Sequence, residues 1–251
     1  MKTIHLHIGL HRTATSSFQT AMVAQRAAFE AAGIAPWAGA NGSGHAREIA
    51  FACLRPGVFD RAGECADPQA LRRQLEALID TTPEPDLLIS SEHLSLIRTQ
   101  AEIDRLRGLF AGRDVRVHIL AVVRAPEVWF RSYADQIAKE KDTRPAPAGS
   151  RRNIAPDSWV RATEPMLALY AQNFPDMTVL DYHPEDMVGQ LMAALGVAPG
   201  FNTRAYRRNQ RSARERFGPL GYRLLRALFG SEYHGLTRHV LRAREAYLLR
   251  K

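Results

Sequence analysis

Hydrophobic residues along this chain recur with two periods, and the switches between them mark out its elements. Ile4, Leu6 and Ile8 alternate with polar neighbours, which predicts a strand, and Phe18, Met22 and Phe29 then fall on one face of a helix. Gly33 to Trp37 predicts a short second strand, and the loop Asn41-Gly42-Ser43-Gly44 leads into a helix from His45 to Leu54. Pro68 opens a helix carrying Leu71, Leu75 and Leu78. Asp86 to Ser91 predicts a strand ending in Glu92-His93-Leu94, and Ile103, Leu106 and Phe110 mark the next helix. Val115 to Val123 is a nearly continuous apolar run, as expected of a strand covered by helices on both faces of a parallel sheet. It ends at Arg124. Pro126 then suits the first turn of a helix whose stripe is Trp129, Tyr133 and Ile137. Trp159 to Phe174 predicts a helix, Met177 to Tyr182 a strand, and Pro184 to Leu195 a helix ended by Gly196. The alternation predicts an α/β fold with a doubly wound parallel sheet and ligands at the carboxyl ends of its strands, where Arg12, Glu92 and Arg124 all fall.

Two of these strand-to-helix junctions carry chemistry. Between Gly9 and Phe18, backbone N–H groups stand at the positive end of a helix dipole and Thr15, Ser16 and Ser17 add hydroxyls, a setting for an anion and above all for phosphate. The loop is not a Walker A motif, because no Lys adjoins the hydroxyls; the cation comes earlier, as Arg12. At the second junction a long Arg124 side chain and the Ser132 hydroxyl, about two turns into the helix, are placed to converge on one anion.

The stretch His11-Arg12-Thr13-Ala14-Thr15-Ser16 resembles the 5′-phosphosulfate loop, K-x-G-T-T, of the sulfotransferases that use 3′-phosphoadenosine 5′-phosphosulfate (PAPS). Arg12 stands where that family usually has Lys, and Ala14 where it usually has Gly. Arg124-x-Pro126 followed by Ser132 resembles the 3′-phosphate motif of the same family, so the resemblance spans residues 3 to 136. It implies a three-layer, P-loop-like α/β fold with a central parallel sheet flanked by helices. It also implies a PAPS site made by His11, Arg12, Thr13, Ala14, Thr15 and Ser16 at the 5′ end and Arg124 and Ser132 at the 3′ end. Arg12 would serve as the leaving-group cation. Glu92 would be the catalytic base, with His93 second, since glycan-directed members often use Glu and cytosolic small-molecule members a His at the end of a comparable strand. No metal is implied. The family's G-x-x-G-x-W-K nucleotide loop is absent, and Arg208, within Arg207-Arg208-Asn209, is the candidate to replace it; this absence points to bacterial glycan-type or glycolipid-type members.

Composition narrows the alternatives. A length of 251 residues and 45% hydrophobic content fit one domain, with no break that argues for two. No run approaches the roughly 20 apolar residues of a membrane span, and the chain enters a strand without a signal-peptide core, so a cytoplasmic location is expected. Cys53 and Cys65 have no metal spacing, and Cys53 reads as a small apolar residue on a helix. The net charge of +8, concentrated in Arg204, Arg207, Arg208, Arg211, Arg214 and Arg216, admits nucleic acid. With only Tyr206 and Phe217 interleaved, however, a basic rim that attracts a polyanionic nucleotide accounts for it with fewer assumptions, so no nucleic-acid partner is expected. Glu140 to Pro156 reads as a mobile loop beside the acceptor or nucleotide, and residues 204 to 251 as a basic helical part. From Arg216 onward the pattern admits a membrane-surface helix suited to a lipid-linked acceptor, but better fits helices packed on the sheet. The rivals are a divergent P-loop kinase, which lacks the Gly-Lys pair and a strand-end Asp for Mg²⁺, a metal hydrolase built on His5-x-His7, and a basic nucleic-acid-binding protein.

Overall fold

The computed structural model describes residues 1–59, 67–139 and 146–206. Arg208, Cys65, residues 140–145 and the chain from 207 onward lie outside the described residues. Within them a five-stranded, all-parallel sheet has the order β2-β3-β1-β4-β5, formed by β1 (Lys2–His7), β2 (Ile34–Pro36), β3 (Asp86–Ser90), β4 (Val115–Val123) and β5 (Met177–Asp181). On one face pack α1 (Thr15–Ala24), α2 (Arg26–Ala31) and α8 (Met187–Ala194). The other face is covered by α3 (Arg47–Cys53), α4 (Pro68–Thr81), α5 (Gln100–Gly108), α6 (Pro126–Lys139) and α7 (Thr163–Asn173). This is a three-layer α/β fold.

Alternation decides which layer each strand residue serves. Ile119 and Ala121 join the core under α3 to α7 while Leu120 and Val122 join the core under α1 and α8, which is why β4 reads as a continuous apolar run. Burying Ile119, Leu120 or Val122 contributes about 1.5–3 kcal/mol each. The stripe Trp129, Tyr133 and Ile137 of α6 is buried in the first of these cores.

Three predicted helices differ at their ends. The first is two, α1 and α2, broken at Gln25. The predicted helix from Trp159 to Phe174 is a short 3₁₀ turn, Trp159–Arg161, followed by α7, whose third residue is Pro165. Proline lacks the N–H that a helix interior needs and belongs in a first turn, so it marks a new start. The last helix begins at Met187 rather than Pro184 because Asp186 caps it, accepting from the Gly189 N–H at 2.9 Å. Gly196, at φ 71°, ends it as predicted.

The central strand β1 is buried on both faces yet polar on one. His5 pairs with His118 across β4, Nδ1 to Nδ1 at 2.9 Å, and His7 lies 2.8 Å from Ser90 Oγ and edge-on to Phe18. These strand histidines, His7 buried and His5 half-buried, have partners within the sheet, which removes the specific support for a metal hydrolase built on His5-x-His7. Burial lowers the His7 pKa to about 3. Its unfolded value lies near 6.5, so below that pH only the unfolded chain takes the proton and stability falls. At about pH 5 the loss from this one ring is expected to be about 2 kcal/mol relative to neutral pH. Urea unfolding of the parent and His7→Asn at both pH values checks it; equal losses in the two proteins would contradict it.

Candidate active site

The carboxyl ends of β1, β3 and β4 lie side by side at the middle of the sheet, where the chain has turned from one side of β1 to the other. Such a switch point opens a crevice for ligands. The segment after β1 continues beside β4, with Ile8 N–H donating to Leu120 at 2.9 Å and Leu10 N–H to Val122 at 3.1 Å. It then folds sharply into α1 through Arg12 and Ala14, both left-handed at φ 68° and 67°. A residue with a Cβ pays about 1–2 kcal/mol for that conformation. Ala14 therefore carries strain that the Gly of the family pattern would lack.

α6 holds this strained loop in place. Trp129 Nε1 donates to the His11 carbonyl at 2.8 Å, and Arg12 Nε donates to Ser132 Oγ at 3.1 Å. The loop encloses a small polar cradle. A Cβ at Gly9 would stand 2.7 Å from His7 Nε2 and 3.1 Å from the hydroxyls of Thr13 and Thr15, so only glycine fits. Thr15 Oγ1 and His7 Nε2 are buried with no partner among the described residues. The N-terminus of α1 has neither a side-chain cap nor an acidic residue in its first turn, which leaves its N–H groups and dipole to an incoming anion.

The second motif is arranged differently from its expectation. Ser132 is the partner of Arg12, while Arg124 stacks on Tyr182 at 4.8 Å from the ring centre, where β4 and β5 end together. Helical rise explains the change: Ser132 lies six residues, about 9 Å, beyond the start of α6 and shares with Trp129 the face turned to the first loop. The pairing of Arg124 with Ser132 is thus replaced by a bond joining the two motifs.

Glu92 and His93 open the 3₁₀ turn Glu92–Leu96 after β3. The Glu92 carboxylate is half-buried and has no hydrogen bond or ion pair among the described residues. Burial raises its pKa, while the charges of Arg151, Arg12 and Arg47 oppose the shift. His93 sits in a cage of rings, with the centres of His11, His45, Phe51 and Phe59 4.9 to 5.8 Å away. Burial above all, then neighbouring charges, holds its pKa well below the usual imidazole value, and lowers His11 to about 3 and His45 to about 4. The imidazoles are neutral at physiological pH and weak bases. Glu92 is shifted the other way, toward a stronger base than an ordinary carboxylate.

Three contributors escaped the sequence reading. Arg151 lies in the stretch read as a mobile loop, but its part from 146 to 156 is anchored. Ser150 is fully buried, Arg151 N–H donates to Val58 at 2.9 Å, and the Arg151 carbonyl accepts from Tyr133 Oη at 2.8 Å. Its guanidinium lies over Phe59 and acts on Glu92, His11 and His93. Arg47, the first residue of α3, adds its charge at Glu92 and His93. Tyr133, read as core, meets the His11 ring at 5.4 Å and pins Arg151. The Arg151-Arg152 dipeptide was the available signal for the first; nothing in the spacing pointed to the others.

Cys53 fits its reading as an apolar helix residue: it is buried in α3, and burial pushes its thiol up to about 12. Among the described residues no helix is long and apolar enough to cross a membrane. Compared with protein-family models, with curated proteins and with solved structures, the chain finds no match.

Proposed function

We propose that the chain is a cytoplasmic sulfotransferase that moves a sulfuryl group from PAPS to a hydroxyl or amine of a glycan or glycolipid acceptor. The observation that carries this reading is the junction of the two phosphate motifs, Arg12 bonded to Ser132 beside an uncapped helix start. A 5′-phosphate on that helix start takes the N–H groups of residues 13 to 16 and the hydroxyls of Thr15 and Ser16, and the unpartnered Thr15 Oγ1 fits such a ligand. Arg124 takes the 3′-phosphate, while Ser132 orients Arg12 instead of binding that phosphate itself.

The acceptor oxygen or nitrogen attacks sulfur and gives its proton to Glu92. The bond from sulfur to the 5′-phosphate oxygen breaks, and its electron pair stays on the departing phosphate, where Arg12 and the loop N–H groups offset the new charge. Arg12 acts electrostatically on Glu92, so the leaving-group cation and the base belong to one site.

Calorimetric titration with 3′-phosphoadenosine 5′-phosphate, against ADP with Mg²⁺, AMP and a short oligonucleotide, tests the reading. The expected result is selective, metal-independent binding of the 3′-phosphorylated nucleotide. Preference for ADP with Mg²⁺ would make the protein a kinase, and binding of the oligonucleotide alone a nucleic-acid-binding protein.

A further inference from the structure

The loop after β1 brings one side chain to an adjacent pair on the turn after β3, far from it in sequence. His11, Glu92 and His93 each offer a ligand atom, and the three atoms lie within 4.8 Å of one another. The imidazoles have no competing partner: both ring nitrogens of His11 and Nδ1 of His93 are buried without a hydrogen bond among the described residues, as is Nε2 of neighbouring His45. A buried polar atom left unpaired destabilises the fold that holds it. A small ion seated between the side chains would pair these nitrogens.

We propose that His11, Glu92 and His93 form a binding site for a divalent transition-metal ion of the zinc class. Two imidazole nitrogens and one carboxylate oxygen suit zinc, cobalt or nickel and not the oxygen-seeking Mg²⁺ or Ca²⁺. Zinc bonds of about 2.0–2.2 Å place tetrahedral ligand atoms about 3.4 Å apart, so side-chain rotation closing the cluster by roughly 1 Å completes it. Three protein ligands leave a fourth position open. Arg12, Arg47 and Arg151 all act on Glu92 and set the strength, because their positive charge opposes a second cation. The expected affinity falls short of that of a structural zinc site.

The ion would occupy the carboxylate that the sulfotransferase reading uses as base, so on that reading it inhibits. The binding itself does not depend on the reading. Full-length protein stripped with chelator and free of nucleotide is titrated with ZnCl₂ by calorimetry and with CoCl₂ by visible absorption. The expected result is one ion per chain and tetrahedral cobalt bands that zinc displaces. His11→Gln, Glu92→Gln and His93→Gln are each expected to weaken binding at least about tenfold. The parent's cobalt spectrum decides the matter even for a variant that fails to fold. No binding up to millimolar metal, cobalt without tetrahedral bands, or affinity unchanged in all three variants would overturn the site. In a transfer assay, zinc at ten times its Kd is expected to reduce the rate about tenfold and chelator to restore it. Metal-free protein that binds zinc yet transfers no sulfuryl group would refute the proposed function and leave the ion site standing.

Discussion

Glu92→Gln is expected to lower sulfuryl transfer by about three orders of magnitude, within the 10²–10⁴ range of a positioned general base, and to leave affinity for 3′-phosphoadenosine 5′-phosphate within about twofold. The split follows from the site. Glutamine keeps the shape of the side chain, so the turn Glu92–Leu96 and the surrounding rings are undisturbed, but its amide cannot take the acceptor proton. On the proposed reading the nucleotide would be held by the start of α1, Arg12 and Arg124, and not by the Glu92 carboxylate. Rates at saturating donor, set beside calorimetry on the same preparation, separate the two effects. Undiminished transfer would move the base to His93, a demanding role for an imidazole whose burial holds it neutral and weakly basic.

Arg12→Ala is expected to weaken binding of the same nucleotide about 100-fold, the equivalent of about 3 kcal/mol for one charged partner of a phosphate. Alanine tolerates the left-handed backbone as well as arginine does, so folding is spared and the loss reports the missing guanidinium. Arg12→Lys is expected to recover part of it. An ammonium restores the charge but not the planar fork that also reaches Ser132. Titration of the three proteins checks this. Equal affinity in parent and alanine variant would remove Arg12 from the donor site.

The sheet was legible in the sequence because its signals are local. The alternation of β1, the unbroken run of β4 and the stripe of α6 each come from a few adjacent residues meeting water on one side or neither. The turn from β1 into α1 was legible for the same reason, since its glycine, cation and hydroxyls are contiguous. The partner of Ser132 was not. Arg12 stands more than a hundred positions away, and only the twist of α6 decides which junction the hydroxyl faces. Arg151 was missed because contacts such as its backbone hydrogen bonds to Tyr133 and Val58 leave no periodic trace. The cluster of His11 with Glu92 and His93 was hidden in a third way: His11 follows β1 while Glu92 and His93 follow β3, and they meet because those two strands are neighbours in the sheet. Pro165 marked the true start of α7, but the apolar spacing on both sides of the break masked it.

One helix face touches both halves of the crevice. Trp129 and Ser132 hold the loop that would cradle the nucleotide, and Tyr133, next along α6, holds Arg151 beside Glu92. A shift of α6 on loading the nucleotide would therefore also move Arg151 at the acceptor side. Whatever factor the nucleotide then imposes on acceptor affinity, the acceptor must return to the nucleotide, so the order in which the two substrates arrive carries no thermodynamic preference of its own.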